Sequence, residues 1–446
     1  MSQVRFIVQP GGSLRGRVRV PGDKSISHRS VMLGAIAEGT TEVEGFLEGA
    51  DSLATLQAFR DMGVRIEGPD HGHVVIHGVG LRGLKAPGKP LDMGNSGTAM
   101  RLMAGILAGQ AFEATLVGDA SLSRRPMKRV TDPLGLMGAH IDTAPGGTPP
   151  LHVHPVGDRL KGIDYTLPMA SAQVKSAILL AGLYAEGETC VTEPAPTRDH
   201  TERMLRGFGY EVRSEKLDSR RTRICLTGGG KLRATHIDVP SDISSAAFFM
   251  VGAAIAPDSD LLIEHVGVNP TRTGVIDILR LMGADITLEN AREVGGEPVA
   301  DIRVRSSRLH GIDIPPELVP LAIDEFPVLF VAAAVAEGTT VLRGAEELRV
   351  KESDRIQVMA DALHTLGVDA EPTPDGMIIR GGHPFQPQQG VIDSHHDHRI
   401  SMASAIAALR APSPVVIDDC ANVATSFPTF VELANGAGMQ IEVEQS

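Results

Sequence analysis

The stretch from Ser171 to Pro194, SAQVKSAILLAGLYAEGETCVTEP, contains the pattern that is repeated along the whole chain. It begins with polar residues, continues as an Ala-rich helix that is apolar nearly all round, and ends with a turn and an alternating strand. A helix that is apolar on every side is buried in a core rather than lying on a surface. The stretch therefore predicts a small α/β subdomain around a buried helix.

The same helix, turn and strand occur six times. The six copies begin at Ala35, Ile106, Ala181, Gly252, Ala333 and Ala405. After each copy comes a helix-end signature, usually hydrophobic–Gly–X–X–hydrophobic, with its glycine at Gly63, Gly138, Gly209, Gly283, Gly367 and Gly438. Each glycine fits a left-handed helix cap with a strand just beyond it. Their spacing exceeds the roughly 50 residues of solenoid repeats, so the pattern predicts six copies of a mixed α/β subdomain.

The first turns of the six helices are polar and charged. In order they read DKSISHRS, NSGTAMR, ASAQVK, SDISSAA, IDEFPV and HDHRISM. Capping by Ser, Asp and Asn explains part of this pattern. Capping does not explain the cations in the same turns, which are Lys24, Arg29, Arg101, Lys175 and Arg399. Because helix N-termini bind phosphate and carboxylate, these starts indicate an anionic ligand.

In the segment Leu348–Arg355, LRVKESDR, the cations Lys351 and Arg355 stand beside the carboxylates Glu352 and Asp354. This arrangement suits a site that holds an anion and moves a proton, although a solvated helix start with local ion pairs would have the same composition. Asp324, in the motif IDEFP, is a further candidate base. The paired arginines of SRRPM, Arg124 and Arg125, are candidate forks for carboxylate or phosphate.

Two motifs allow a second interpretation that the residues do not favour. PGDKSISHR, which begins at Pro21, superficially resembles a phosphate loop, but Asp23 stands where a Walker motif needs Gly before Lys. HHDHR, His395 to Arg399, suggests a metal site, yet its histidines are adjacent and no matching Cys or carboxylate cluster accompanies them. We therefore interpret Arg399 as an anion ligand.

The composition is that of an ordinary globular protein of 446 residues with a net charge of −13. This charge argues against a nucleic-acid or acidic membrane partner. Cys190, Cys225 and Cys420 are widely spaced, so we expect neither a disulfide framework nor a zinc site. With no stretch typical of a signal peptide or membrane span, we expect a cytoplasmic protein.

Taken in order, the motifs resemble one family, the 5-enolpyruvylshikimate-3-phosphate (EPSP) synthases. The resemblance runs from about Ser13 to Glu444. It is carried by PGDKSISHRS, GNSGTAMRL, GDASLSRRPM, PMASAQVKSAILLAGL, TRDHTERML, NPTRTG, IDEFPVL, EELRVKESDR, HDHRISM and ATSFP. SHRS, TRDHTE and NPTRTG look like the divergent class II branch, which includes glyphosate-tolerant members.

The resemblance implies an enolpyruvyl-transferase fold of mixed α/β class, with two domains, three subdomains per domain and buried parallel helices. One domain would comprise residues 23–238 and the other residues 1–22 and 239–446. Two crossing strands near residues 20–23 and 236–241 would join them. The protein would act as a monomer without a metal or organic cofactor.

The resemblance also implies two substrates and their contacts. Shikimate 3-phosphate would contact Lys24, Ser25, Arg29, Ser171, Ala172, Gln173, Arg198, Asp324 and Lys351. Phosphoenolpyruvate would contact Lys24, Gly97, Arg125, Gln173, Arg355 and Arg399. Asp324 would be the base for the 5-hydroxyl and Glu352 the acid and base at the methylene. Thr425 stands where many members have Lys, and Leu102 where many have Pro.

Two alternatives remain at this stage. The sister transferases that act on UDP-N-acetylglucosamine usually carry a reactive Cys in the loop that here reads GDASLSRRP, which contains no Cys. A non-catalytic phosphometabolite-binding relative would have lost a catalytic carboxylate, but Asp324 and Glu352 are both present. The resemblance therefore favours transfer of the enolpyruvyl group of phosphoenolpyruvate to shikimate 3-phosphate.

Overall fold

The structure is a computed structural model that describes residues 3–446. In chain order its α-helices are α1 (Lys24–Ile36), α2 (Ala50–Asp61), α3 (Gly97–Ala108), α4 (Lys128–Leu136), α5 (Ala172–Gly182), α6 (His200–Gly207), α7 (Ile243–Ile255), α8 (Gly274–Leu281), α9 (Phe326–Val335), α10 (Arg355–Thr365), α11 (His398–Ala407), α12 (Val423–Ser426) and α13 (Phe430–Ala437). Short 3-10 helices span Leu122–Arg124, Pro316–Leu318, Ile323–Glu325, Glu346–Val350 and Ala408–Arg410.

The strands are short and lie between these helices. They are β1 (Val4–Val8), β2 (Arg15–Val18), β3 (Glu38–Glu44), β4 (Arg65–Asp70), β5 (His73–Val79), β6 (Leu91–Asp92), β7 (Ala114–Val117), β8 (Ile141–Ala144), β9 (Thr148–Val153), β10 (Asp164–Thr166), β11 (Glu188–Glu193), β12 (Arg213–Lys216), β13 (Thr222–Thr227), β14 (His236–Asp238), β15 (Asp260–Gly267), β16 (Asp285–Val294), β17 (Glu297–Arg305), β18 (Gly338–Leu342), β19 (Asp369–Thr373), β20 (Gly376–Gly381), β21 (Ile392–Asp393), β22 (Val415–Asp418) and β23 (Ile441–Gln445).

The described chain divides into two compact units, each with its own hydrophobic core. The N-unit comprises Gly22–Pro240 and Glu293–Glu297. The C-unit comprises the N-terminal segment that ends at Pro21, together with Ser241–Arg292 and Pro298–Ser446. None of the helices in residues 3–446 is long and apolar enough to cross a membrane.

The N-unit contains three four-stranded sheets, with the strand orders β14-β3-β5-β4, β6-β7-β9-β8 and β10-β11-β13-β12. Its buried helices are α1, α3 and α5, one for each sheet. Helix α5 is built from AQVKSAILLAG and is buried from Val174 to Gly182. The small residues Gly105 and Ala177 let α3 and α5 approach closely, since a Cβ on Gly105 would overlap the carbonyl of Ala177.

The C-unit repeats this arrangement with the sheets β16-β17-β15-β2, β18-β20-β19 and β21-β22-β1-β23. Its buried helices are α7, α9 and α11. All residues of α7 are buried. Its sequence, ISSAAFFMVGAAI, has no charged residue after the Asp242 cap, which permits burial on every side. The six sheets and their helices confirm the prediction of six small α/β subdomains.

The helix-end glycines are confirmed at all six positions. Gly63, Gly138, Gly209, Gly283, Gly367 and Gly438 all have positive φ, and a strand follows each within a few residues. At Gly367 the close packing is an additional requirement, because a Cβ there would overlap the backbone carbonyl of Gln386. Glycine is the residue that tolerates both conditions.

The helix starts are capped as predicted in five of the six cases. Side chains of Asp23, Ser96, Ser171, Asp242 and Asp397 accept hydrogen bonds from backbone N–H groups of α1, α3, α5, α7 and α11. Helix α9 differs, since it continues from the 3-10 turn Ile323–Glu325 and has Pro327 in its first turn. Proline is favoured there because it has no N–H to satisfy.

The expectation that the cysteines form no disulfide is wrong. Cys190 on β11 and Cys225 on β13 are bonded to each other across directly opposite positions of an antiparallel pair. Their separation of 35 residues gave no signal because the sheet pairing that brings them together is not local. Cys420 is free and buried.

Two alanine substitutions in the C-unit separate the effect of the positive φ at Gly367 from the effect of its close packing against Gln386. Gly367→Ala adds a backbone overlap to a φ of +77°, whereas Gly344→Ala meets a φ of +73° in open space. We expect Gly344→Ala to cost about 1–2 kcal/mol, and Gly367→Ala to cost about 1–3 kcal/mol more because of overpacking. Chemical denaturation of both variants measures the difference. Equal midpoints would contradict the close approach at Gln386.

Candidate functional site

The predicted residues of the N-unit lie at the starts of α1, α3 and α5 and in two loops. Lys24 opens α1 directly after its cap, Asp23, and is half exposed. The Lys24 Nζ is 2.5 Å from Oδ2 of Asp51, the only carboxylate within ion-pair distance of it in residues 3–446. Ser25 follows in the same turn and is partly exposed. Lys24 and Ser25 are therefore accessible at a helix N-terminus, as predicted.

Arg29 is buried and engaged by the protein itself. Its Nε donates to Oγ1 of Thr201 at 2.8 Å and its Nη1 donates to the carbonyl of Ser25 at 3.0 Å. Burial lowers the pKa of Arg29 to about 10. The guanidinium thus joins the start of α1 to α6 and supports the turn that carries Ser25. Arg198 lies in the loop before α6 and is partly buried.

Two guanidinium groups flank Gly97 at the start of α3. A Cβ at Gly97 would lie 2.9 Å from Nη1 of Arg101 and 3.2 Å from Nη1 of Arg125. Arg125 donates to Oδ1 of Asn95 at 3.0 Å, and Arg101 donates to the side-chain oxygen of Gln173. Neither arginine forms an ion pair with a carboxylate within residues 3–446. Two adjacent cations with neutral partners form a site that attracts an anion.

Electrostatics support this interpretation. Burial and the nearby charge of Arg125 lower the pKa of Arg101, so the neighbouring cations oppose its positive form. Gln173 is fixed from its other end, where Nε2 donates to Oγ1 of Thr98 at 2.9 Å. The side-chain amide therefore links the starts of α3 and α5. Ser171 caps α5 and Ala172 is its first residue, so both lie beside Gln173.

Lys175, interpreted from sequence as a cation for an anionic ligand, has another role. Its side chain is 1% exposed, and its Nζ lies 2.7 Å from Oε1 of Glu193 and 3.0 Å from Oε2 of Glu202. Burial opposes the charged form, but the two carboxylates outweigh this effect and raise the pKa of Lys175. The ammonium is neutralised inside the N-unit. Its interpretation as an anion ligand was wrong.

The predicted residues of the C-unit surround the guanidinium of Arg355, the first residue of α10. Its side chain is 1% exposed, and its Nε is 2.8 Å from Oδ2 of Asp397, which is fully buried. Arg355 Nη2 lies 2.6 Å from Oε2 of Glu352, and Nη1 lies 3.5 Å from Oδ1 of Asp324. Asp397 and Glu352 are the main charges that raise the pKa of Arg355 against the effect of burial.

Lys351 provides a second cation for Asp324. The Lys351 Nζ lies 3.7 Å from Oδ1 of Asp324 and 3.7 Å from Oε1 of Glu347. The Asp324 side chain is largely buried, in the 3-10 turn before α9. Asp324 therefore lies beside two cations, Lys351 and Arg355, within reach of which a base can be held in place.

Glu352 is the more accessible of the two predicted catalytic carboxylates, with 54% of its side chain exposed. Partial burial acts to raise the pKa of Glu352, but attraction to Arg355 and then to Arg399 outweighs it, and the pKa is lowered. Burial and repulsion by Arg399 lower the pKa of His398 to about 4, so this imidazole is neutral at physiological pH. Arg399 and His398 open α11 directly after Asp397.

Sequence reasoning missed several residues that complete these two groups. Arg101 was recognised as a cation at a helix start but received no ligand role. Asp397 had been grouped with a possible metal motif, whereas it caps α11 and accepts from Arg355 and Ser353. Asn95 supports Arg125 from the loop before α3. Asp397 had a recognisable signal, an Asp at a predicted helix cap.

Comparison with known proteins gives the family of the chain. The family model described as EPSP synthase (3-phosphoshikimate 1-carboxyvinyltransferase) matches residues 8–433. A 3-phosphoshikimate 1-carboxyvinyltransferase of Hydrogenovibrio crunogenus is 74% identical over 99% of this chain and 98% of its own. One of Methylococcus capsulatus is 68% identical over 99% of both chains.

Solved structures agree as well. An EPSP synthase structure from Acinetobacter baumannii superposes with a TM-score of 0.94 at 62% identity, covering 99% of this chain and 100% of that one. The ordered motifs, the six subdomains and the charged helix starts thus have one common explanation. The chain belongs to the EPSP synthase family, the 3-phosphoshikimate 1-carboxyvinyltransferases.

Proposed function

We propose that this protein transfers the carboxyvinyl group of phosphoenolpyruvate to the 5-hydroxyl of shikimate 3-phosphate and releases inorganic phosphate. Family membership supports the reaction. The observation that carries the proposal is the pairing of Arg101 with Arg125 beside Gly97, neither of which forms an ion pair with a carboxylate among the described residues. Both substrates are multiply charged anions, and such a pair binds phosphate or carboxylate.

The shikimate 3-phosphate contacts are proposed from exposure and donor type. Lys24 and Ser25 offer an ammonium and a hydroxyl at the start of α1, and Ser171 and Gln173 offer polar groups at the start of α5. The complete proposed set is Lys24, Ser25, Arg29, Ser171, Ala172, Gln173, Arg198, Asp324 and Lys351. Within it, Arg29 acts mainly by holding the Ser25 backbone, because its own guanidinium is buried.

The phosphoenolpyruvate contacts are proposed from the cations. Arg125 lies next to Gly97, where no side chain blocks access. Arg399 lies at the start of α11 and is partly exposed. The proposed set is Lys24, Gly97, Arg125, Gln173, Arg355 and Arg399, to which we add Arg101. Arg355 is buried, so its main contribution is to position Glu352 and Asp324.

The chemistry requires one base and one group that both gives and takes a proton. The 5-hydroxyl oxygen bonds to the central carbon of phosphoenolpyruvate, and its proton passes to Asp324. The methylene carbon takes a proton from Glu352 and becomes a methyl group. The bond between the central carbon and the phosphate oxygen then breaks, phosphate leaves with the electron pair and with the proton that Asp324 releases, and the methyl returns a proton to Glu352.

The lowered pKa of Glu352 is consistent with this cycle. In the protein without substrate the carboxylate is ionised at neutral pH, because Arg355 and Arg399 stabilise its charge. Nearby negative charge raises the pKa of a carboxyl group. Binding of two anions therefore raises the pKa of Glu352 and favours uptake of the proton that the methylene needs. Elimination restores the protonated form.

A substrate-omission assay tests the reaction. Phosphate release should require phosphoenolpyruvate and shikimate 3-phosphate together, with no added nucleotide. UDP-N-acetylglucosamine should not replace shikimate 3-phosphate, since it is the acceptor of the sister transferases. Release with UDP-N-acetylglucosamine alone as acceptor, or binding of both substrates without phosphate release, would reject the proposal in favour of one of the two alternatives.

Replacement of Glu352 tests its proton-transfer role. Glu352→Gln keeps the size of a half-exposed side chain but removes the transferable proton. We expect the maximal rate to fall at least about 10²-fold, as for a positioned acid or base. Shikimate 3-phosphate should still bind, as measured by calorimetry. The exposed neighbour variant Glu347→Gln is the control and should keep its rate. A fully active Glu352→Gln protein would refute the role.

Replacement of Arg125 tests the guanidinium pair. Arg125→Ala should raise the KM for phosphoenolpyruvate with little change for shikimate 3-phosphate, because loss of one charge-assisted partner costs about 1.5–3 kcal/mol. Arg124→Ala is the matched control, since Arg124 is exposed and adjacent. Steady-state kinetics of both variants decide the matter. Equal KM values in the two variants would remove Arg125 from the phosphoenolpyruvate contacts.

Gly97 provides a test with an inhibitor. A methyl group at Gly97 would push aside the guanidinium groups of Arg101 and Arg125. We expect glyphosate to inhibit the wild-type protein in competition with phosphoenolpyruvate. Gly97→Ala should weaken glyphosate more than phosphoenolpyruvate, because the longer ligand has less room. An insensitive wild type together with an unchanged variant would show that Gly97 does not control this site.

A further inference from the structure

A cluster of histidines and carboxylates lies on one face of the sheet β6-β7-β9-β8, apart from every proposed substrate contact. Strand β8 and the residue before it contribute Asp142 and His140, and strand β9 and the residue after it contribute His152 and His154. Glu113 directly precedes β7. Asp142 pairs with His152 across the hairpin, and the His154 N–H donates to the His140 carbonyl at 2.9 Å.

The strand period places these side chains together. Alternate residues of a strand point to the same face, and His140 and Asp142, like His152 and His154, are two positions apart. The intervening Val153 and its neighbour Leu151 are buried in the core. The opposite, outer face therefore carries only polar groups at this place, and they are exposed or half exposed.

The separations are close to those of metal ligands. His154 Nε2 lies 2.7 Å from Oδ2 of Asp142, and His140 Nε2 lies 3.5 Å from Oδ1 of Asp142. One donor atom from each of these three residues lies within 4.8 Å of the others. Zinc bonds of about 2.0–2.2 Å in a tetrahedral site put ligand atoms about 3.3 Å apart. Small side-chain rotations would bring the three donors to that spacing.

The remaining nitrogen of His154 has a partner of the kind that supports a ligand. Nδ1 of His154 lies 3.6 Å from Oε1 of Glu113. Metal-bound histidines commonly donate their second N–H to a carboxylate, which fixes the ring. The ring of His152 has different partners. Its Nδ1 is hydrogen-bonded to Oγ1 of Thr115 at 2.8 Å, and its Nε2 lies 3.9 Å from Oε2 of Glu113.

We propose that His140, Asp142 and His154 bind one divalent transition-metal ion, with Zn²⁺ the best match. Two imidazoles and one carboxylate suit zinc, and a water molecule would fill the fourth position. Glu113 orients His154 as a second-layer partner. The ion would join the two strands of the hairpin β8-β9 at their ends. The sequence expectation of no metal site weighed only HHDHR and the cysteines.

Calorimetric titration of chelator-treated protein with ZnCl₂ tests this site. We expect one ion per chain in the wild type. His140→Ala, Asp142→Asn and His154→Ala should each weaken binding at least about tenfold, the loss that even outer partners of a metal ligand cause. His73→Ala is the matched control, because His73 pairs with Glu42 on another exposed sheet and lies outside every metal-compatible cluster of the described residues. It should bind as the wild type does.

Three outcomes would overturn the proposal. The first is no stoichiometric binding, and the second is binding unchanged by His154→Ala. The third is a larger loss in His152→Ala than in His140→Ala, which would place the ion beside Glu113 and His152 instead. Co²⁺ titration provides an independent readout, with absorption bands of a four-coordinate site and no sulfur charge-transfer band. Phosphate release should be unaffected in all the histidine variants.

Discussion

Burial of six helices on every side is the constraint on which the rest of the structure depends. A helix such as α7, buried from Ile243 to Ile255, has no exposed side on which polar functional groups could lie. Only its first turn can carry charged groups, because there solvent offsets their desolvation and unpaired backbone N–H groups add stabilisation for anions. The functional residues therefore gather at helix starts. The six glycines with positive φ lie elsewhere, because they follow the other helices, α2, α4, α6, α8, α10 and α13, just before the next strand.

The exceptions to this rule show its energetic basis. Lys175 lies inside α5 and is tolerated because Glu193 and Glu202 neutralise it. Arg355 is equally buried, and its two nearest carboxylates differ in exposure. Asp397 is fully buried and belongs to the core, whereas Glu352 is half exposed and is the proposed proton donor. A buried cation must keep its partners, so Arg355 holds Glu352 in place and keeps its carboxylate ionised. The guanidinium of Arg355 therefore stabilises the fold through Asp397 and positions the proposed catalytic carboxylate of Glu352.

Local signals predicted much of this molecule. The helix-end glycines, the polar caps and the buried apolar helices depend on residues close in sequence, and the structure confirms them. Pairings between distant residues gave no such signal. The Cys190–Cys225 bond, the use of Lys175 inside the core and the support of Arg101 by Gln173 all depend on sheet and helix packing. The histidine cluster lies between these two cases. The sequence AHIDTAPGGTPPLHVH shows that its residues are two positions apart, but only the hairpin pairing shows that they lie together.

The central claim is that one carboxyl group, Glu352, gives a proton to the methylene of phosphoenolpyruvate and takes one back. The most direct test is to run the reaction in D₂O and to analyse the product and the recovered phosphoenolpyruvate by mass spectrometry and NMR. Addition with a solvent-derived deuteron makes a methyl group, from which elimination removes either isotope. The account predicts deuterium in the product methylene for the wild type. A product whose methylene carries only protium would contradict it.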